Sequence, residues 1–383
     1  MTTPGCLSYN SLTMSVNDEM FMRLALKLAR RGLGKVSPNP MVGAVIVKNG
    51  RIIAQGYHHA FGADHAEVDA FKHASASVAG ATLYVTLEPC AHFGKTPPCV
   101  NAVIEKKISR VVVGTQDPDK RVNGKSIKLL KEKGIDVTIG VLESECRALN
   151  ETYVKHRTTG LPFVTLKWAQ SLDGKIATAN GSSTWITSPP SLKLAHKLRA
   201  THDAIMVGAG TILKDDPQLT TRLVKGRNPL RVVLDSNLKL PEDHKIFHGL
   251  DKAPTLLAST AWDEKEKLAS RRALGLEVVI TPPDADGHVD LEALLKTLGE
   301  HNISSLLVEG GAETITSFLR LGLYDKVIAI IAPKIMGKGT DAVGDLNVTD
   351  PNLAPKLKIT KVYRSGDDVV VEGEGERLNP EFI

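Results

Sequence analysis

The sequence predicts two α/β domains in tandem. A hairpin signal followed by alternating helix and strand patterns fills the first half, and the alternation restarts beyond residue 160. A length of 383 residues suits two ordinary cores better than one. The pattern divides into an arm without periodicity over 1–14, a first domain over 15–157, a polar linker around Arg157–Gly160, and a second domain over 161–383.

In the first domain, Asn17 can cap a helix with an apolar face of Phe21, Leu24, Ala25 and Leu28, ending at Gly32. Apolar runs at Val42–Val47 and Arg51–Ala54 flank Asn49-Gly50, a strong hairpin signal. There follow a helix from Ala66 to about Val78, a strand Thr82–Leu87, a short helix Val100–Lys106 and a strand Arg110–Val113. A helix Ser126–Lys133 and a strand Val137–Ile139 complete a mixed sheet covered by helices. In the second domain, Phe163–Ala169, Ala204–Val207, Leu230–Leu234 and Thr255–Leu257 read as strands, as do Glu277–Ile280, Ser304–Val308 and Lys326–Ile331. Ser188 with Pro189 at the first turn opens one intervening helix, and Asp290 caps another over Leu291–Leu298. The C-terminal tail carries no readable pattern.

Composition narrows the function classes. With 42% hydrophobic and 24% charged residues the chain reads as a folded globular protein. No apolar run approaches the roughly 20 residues of a membrane span. Met1–Asn10 lacks the basic and apolar regions of a secretory signal, so a cytoplasmic protein without a membrane partner is expected. The net charge of +5 is spread without a basic block, and aromatics are only 4%, which argues against a nucleic-acid partner. A mild positive excess suits phosphorylated small molecules. The four cysteines are too few for a disulfide scaffold, and only Cys90 and Cys99 are close in sequence.

Those two cysteines belong to a larger set. His65-Ala66-Glu67 stands at a helix start, Pro89-Cys90 ends a strand, and Pro98-Cys99 opens the next helix. One imidazole and two thiolates suit tetrahedral zinc with one position open to water. Glu67, two residues from the histidine, can then move a proton from that water to a leaving group. A structural zinc is the competing reading, with His92 as fourth ligand. The zinc-deaminase signature has Cys-x-x-Cys, whereas eight residues separate the two cysteines here.

The run Leu87-Glu88-Pro89-Cys90-Ala91-His92-Phe93-Gly94-Lys95-Thr96-Pro97-Pro98-Cys99, after Ser37-Pro38-Asn39-Pro40-Met41-Val42-Gly43, resembles the deaminase domain of bifunctional riboflavin-biosynthesis proteins. The resemblance implies a cytidine-deaminase-like α/β/α sandwich. It also implies hydrolytic loss of the 2-amino group from 2,5-diamino-6-(5-phosphoribosylamino)pyrimidin-4-one. By the same resemblance, Asn39, His58, His92 and Lys95 contact this phosphoribosylaminopyrimidine. A transfer-RNA adenosine deaminase is the alternative within the enzyme class, and it leaves the second domain unexplained.

In the second half, Leu166 to Lys175 follows the first strand, and Gly208-Ala209-Gly210-Thr211 leads on to Asp215-Asp216-Pro217-Gln218-Leu219-Thr220. Val308-Glu309-Gly310-Gly311-Ala312 ends a strand in two glycines before a helix, a place where phosphate oxygens bind readily. Together these look like the reductase domain of the same family, dihydrofolate-reductase-like in fold and dependent on NADPH. The resemblance implies a cofactor site of Ala169, Trp185, Thr211, Asp215, Ser236 and the run Gly311, Ala312, Glu313, Thr314, Ile315, Thr316 and Ser317. Substrate contacts would be Ser183, Arg199, Leu219, Arg222 and Glu309, with Arg199 and Arg222 suited to gripping a phosphate ester. Lys167 and Glu309 are the candidates to polarise or protonate the ribosylamine as it opens. The family also implies a homo-oligomer.

Overall fold

An Asn-Gly pair in left-handed backbone (φ 52° at Asn49 and 75° at Gly50) makes the tight turn that founds the first sheet. The structure, a computed structural model, describes residues 9–91, 93, 97–184 and 186–375. The chain divides after Thr159 into two units.

In the first unit, helix α1 (Tyr9–Ala29) precedes the hairpin β1 (Gly43–Lys48) and β2 (Arg51–Tyr57). Helix α2 (Ala66–Lys72), β3 (Thr82–Leu87), α3 (Cys99–Glu105), β4 (Arg110–Thr115), α4 (Lys125–Glu132) and β5 (Asp136–Ile139) follow. Helices α5 (Glu143–Leu149) and α6 (Glu151–Thr159) close the unit. The five-stranded sheet runs β2-β1-β3-β4-β5, antiparallel in its first half and parallel from β3 to β5. Strand residues alternate between two cores, as a period of two requires. Ile46, Leu83, Val85 and Val111 pack with α2, α3 and α4, while Val45, Tyr84 and Val112 pack with α1 and α5. Gly43 lets α1 lie directly on β1, because a Cβ there would fall 2.0 Å from Ala25 O. Across this face Asp18 of α1 accepts from Tyr84 Oη at 2.8 Å and from both terminal nitrogens of Arg110 at 3.0 and 2.8 Å.

The second unit holds a nine-stranded sheet ordered β11-β10-β9-β8-β12-β6-β13-β16-β15. Its strands are β6 (Phe163–Ser171), β8 (Ala204–Gly208), β9 (Leu230–Leu234), β10 (Thr255–Ser259), β11 (Glu277–Ile280), β12 (Ser305–Val308) and β13 (Lys326–Ala332) in parallel, with β15 (Leu357–Ser365) and β16 (Asp368–Gly375) antiparallel at one edge. A separate small ribbon pairs β7 (Lys175–Thr178) with β14 (Gly339–Asp341). Helices α7 (Pro189–Thr201), α8 (Ala209–Asp215), α9 (Lys265–Ala273), α10 (Leu291–Glu300) and α11 (Ala312–Arg320) connect the strands. Alternation again splits the strands between faces: Leu306 and Val308 join the α10–α11 core, and Leu307 joins the opposite one. Asp290 caps α10 by accepting from Ala293 N at 3.0 Å. Ser188 precedes α7 without capping it, because its hydroxyl bonds Asp368 and the Ser365 carbonyl instead.

Several expectations need correction. Helix α1 begins at Tyr9 and not after Asn17, so part of the expected arm is helical; no Gly or Pro interrupts that stretch, and elongation costs little once a helix is nucleated. Helix α2 ends at Lys72, short of Val78, because Ser75 turns back to bond the Ile53 carbonyl through both its amide and its hydroxyl. The expected linker at Arg157–Thr159 is the last turn of α6, and the turn falls at Gly160, with φ 75°. The unreadable tail forms β15 and β16, whose outer strand is mostly exposed and so lacks alternation.

Asp18→Ala removes the partner that holds α1 to β3 and β4. It should lower stability by about 3 kcal/mol, as breaking a largely buried ion pair does. Urea unfolding checks this, and an unchanged midpoint would refute the anchor.

Candidate active sites

The first site lies at the carboxyl end of β3. His65 is the N-cap of α2, Cys90 follows β3, and Cys99 is the first residue of α3. The three donor atoms lie within 4.8 Å of one another. His65 Nδ1 is 3.1 Å from Cys99 Sγ and 3.5 Å from Cys90 Sγ. A tetrahedral zinc with bonds of ~2.3 Å to sulfur and ~2.1 Å to nitrogen calls for edges of roughly 3.5 Å. Geometry and softness of the donors both fit zinc. Hydrogen bonding from the Cys99 thiol, helped by His65 and opposed by burial, draws Cys90 down to about 4; the same contact and burial drive Cys99 up. A metal bound to both sulfurs would displace the thiol proton that remains.

Glu67 is the second residue of α2, 3% exposed, and burial pushes its carboxyl up to about 7. With His65 and Cys90 it lines an open cavity that Asn39 and His58 also face. His58 Nδ1 lies 2.8 Å from the Asp64 carbonyl, which can only accept, so Nδ1 carries the proton. Its Nε2 then accepts from the Asn39 amide nitrogen at 3.1 Å, and burial lowers the pKa, keeping the ring neutral. His92 and Lys95 lie outside the described residues.

The same cavity is walled by Asp117 and Tyr153, which sequence patterns do not single out. Tyr153 Oη donates to Asp117 at 3.0 and 3.2 Å, and burial pushes Asp117 up to about 6. The buried Glu88 shapes this wall, accepting from Gly124 N at 2.9 Å and Ser126 Oγ at 2.7 Å. The one signal available for Asp117 is its place just beyond a parallel strand, where ligands of α/β sheets gather.

In the second unit, β6 and β12 are parallel neighbours with Leu166 opposite Val308, so Lys167 and Glu309 emerge side by side. Lys167 Nζ lies 3.5 Å from Glu309 Oε2. Arg199 of α7 clamps the same carboxylate in two places, Nε to Oε1 at 2.9 Å and Nη2 to Oε2 at 2.8 Å. Burial would raise the Glu309 pKa, but Arg199 and Lys167 overcome it and hold the group down at about 2. The expected phosphate grip by Arg199 is therefore not what its fork does here. Arg222 is different: it bonds Gln218 Oε1 at 3.2 Å and Thr220 Oγ1 at 2.8 Å, and no carboxylate pairs with it among the described residues.

Two strand-to-helix turns meet nearby. Gly311 N donates to Thr211 Oγ1 at 3.1 Å, joining the start of α11 to that of α8. Gly210 has nothing within 4 Å of where a Cβ would stand, and the first-turn amides of α11 have no acceptor within the helix. Open backbone and orphan amides fit a phosphate-bearing cofactor. Asp215, at the end of α8, accepts from Ser183 Oγ at 3.1 Å. Ser236 Oγ is occupied by Val289 N at 3.2 Å, and Ala169 packs beside the Ile328–Ile330 cluster. Along the expected cofactor run, Ile315 is in the core and Thr316 accepts from Gly344 N, so these two side chains face inward. Leu219 also lies in a core cluster, 2% exposed. Trp185 lies outside the described residues.

Fold and sites together define a two-domain enzyme class, a zinc-type deaminase followed by a nucleotide-dependent reductase. Residues 15–115 match the cytidine and deoxycytidylate deaminase zinc-binding region, and residues 162–371 match the RibD C-terminal domain. Riboflavin biosynthesis protein RibD of Aquifex aeolicus is 46% identical over 356 residues, covering 92% of this chain and 97% of that protein. Its Escherichia coli namesake is 40% identical over 372 residues, covering 92% and 98%. The crystal structure of a diaminohydroxyphosphoribosylaminopyrimidine deaminase/5-amino-6-(5-phosphoribosylamino)uracil reductase from Thermotoga maritima aligns with a TM-score of 0.84 at 40% identity, covering 94% of this chain and 99% of that one. The chain belongs to the RibD family of riboflavin biosynthesis proteins. Its first unit has the cytidine-deaminase-like fold and its second the dihydrofolate-reductase-like fold of that family's reductase domain.

His65→Ala should reduce bound zinc, measured by plasma emission on the purified protein, to background. Zinc retained at the wild-type level would remove this ligand set.

Proposed function

We propose that the chain deaminates 2,5-diamino-6-(5-phosphoribosylamino)pyrimidin-4-one in its first unit and reduces 5-amino-6-(5-phosphoribosylamino)uracil in its second. The observation that carries the first half is the triad of His65, Cys90 and Cys99 with buried Glu67 beside it. Zinc, when bound, supplies Lewis acidity that brings water towards ionisation near neutral pH. His65, Cys90 and Cys99 hold the metal. Glu67 has the burial and the raised pKa of a group that takes up a proton and passes it to the departing amino nitrogen. The His58 contact fixes the Asn39 amide, so one defined end of it is left for the pyrimidine.

In the reductase half, NADPH supplies the hydride. Glu309 stays anionic near neutral pH and cannot be the proton donor. Its charge keeps the Lys167 ammonium beside it, and Lys167 is the group that holds the proton taken up as the ribosylamine opens. Arg222, a cation without a carboxylate partner, suits the phosphate ester. Thr211, Asp215 and the α11 N-terminus are assigned to the cofactor.

No helix among the described residues is long and apolar enough to cross a membrane. The rest of the reading is a cytoplasmic homo-oligomer without a nucleic-acid partner. Self-assembly draws support from edge strand β15, which exposes Ile359 and Val362.

Glu67→Gln should cut ammonia release from the diaminopyrimidine ribotide by about 10²- to 10⁴-fold, the usual weight of a general acid–base group. NADPH oxidation with the uracil ribotide should stay near wild type. An equal fall in both activities of the folded variant would overturn the two-site reading.

A further inference from the structure

The segment from Gln218 to Arg222 is held from behind by side chains of β9 and α7. Arg231 of β9 is fully buried and donates to the Gln218 carbonyl at 3.3 Å and the His248 carbonyl at 3.1 Å. Arg199 Nη1 reaches the Thr220 carbonyl at 3.4 Å. His196, 7% exposed and one turn before Arg199 on α7, accepts the Arg222 amide on Nδ1 at 2.9 Å. Between these anchors Leu219 stands at φ 54°, a conformation a leucine keeps only where its surroundings over-determine it. With Thr221 N donating to Asn228 Oδ1 at 2.8 Å, the segment is pinned through two carbonyls, two amides and one buried side chain, and it ends on Arg222.

We propose that His196 is a positioning residue for substrate binding in the reductase half, fixing the Arg222 backbone so that its guanidinium meets the phosphate of the ribotide. An amide N–H can only donate, so Nδ1 must keep its lone pair and the ring must be neutral. Burial, then the charges of Arg199 and Arg222, push His196 down to about 4; Glu309 opposes this and Lys167 adds to it. The acceptor therefore persists through the neutral range. Around the ring the cations of Lys167, Arg199 and Arg222 outnumber the Glu309 carboxylate that opposes them, an excess of positive charge that a phosphate dianion would neutralise. Arg199 bonds both Glu309 and the Thr220 carbonyl, so the anchored segment and the proton-holding pair share one rigid support.

This inference rests on the reductase reading, and the test separates the two. The uracil ribotide and its dephosphorylated riboside are compared as substrates for the full-length holoenzyme and for His196→Leu and His196→Asn. Leucine has no acceptor, whereas the asparagine carbonyl can stand in for Nδ1. His196→Leu should raise the KM for the ribotide about tenfold, the scale of one lost hydrogen bond. Its kcat, its KM for NADPH and its constants for the riboside should stay within about twofold of wild type. His196→Asn should recover most of the ribotide KM, and His196→Leu should add nothing in an Arg222→Ala background. An equal rise for ribotide and riboside, no rescue by asparagine, or full additivity with Arg222→Ala would each overturn the proposal. Should the leucine variant misfold, His196→Phe, which keeps a ring but has no acceptor, takes its place in each of these comparisons. Absence of NADPH oxidation by wild-type enzyme would instead sink the reductase reading itself.

Discussion

Parallel strands end side by side, and that constraint gathers distant segments of this chain into its two sites. At the carboxyl ends of β3 and β4 it brings Cys90 and the Asp117 wall to the starts of α2 and α3, where His65 and Cys99 stand. Where β8 and β12 end beside the middle of β6, it sets the α8 turn, Glu309 and Lys167 in a row. Helix starts supply free amides and strand ends supply side chains, so one edge carries both the anion-binding and the proton-handling groups. Antiparallel β15 and β16 extend the second sheet and contribute none of these groups.

Each site solves a burial problem by charge pairing. Two thiolates would neutralise a zinc dication, leaving Glu67 as the local group with freedom to change charge. In the reductase half Glu309 is largely enclosed, yet two cations hold it ionised. Removing either cation would strand a buried charge, which is the expensive failure of such clusters. The arrangement makes Glu309 an organiser of cations more than a reagent.

Much of this was readable in advance where local chemistry decides structure. Asn49-Gly50 announced the hairpin, and Thr82–Leu87, Leu230–Leu234 and Glu277–Ile280 appear at the bounds that their apolar runs suggest. The His-x-Glu and paired Pro-Cys steps stood out because histidine and cysteine at such spacing are uncommon. What remained hidden depends on tertiary proximity. Helix α6 is polar nearly all round, β15 is exposed on both faces, and neither shows a period. Asp117, Tyr153, Arg231 and His196 are ordinary residues until the sheet brings partners to them. Arg199 looked like a phosphate grip because nothing local reveals Glu309, 110 residues away, as its partner.

The central claim is that one chain carries two chemically independent sites, only one of which uses metal. Stepwise removal of zinc by a chelator, with bound metal and both activities measured on each sample, addresses it directly. Ammonia release should fall in proportion to zinc lost and return on adding zinc back, while NADPH oxidation with the uracil ribotide holds steady. Parallel loss of both activities while the fold persists would contradict it.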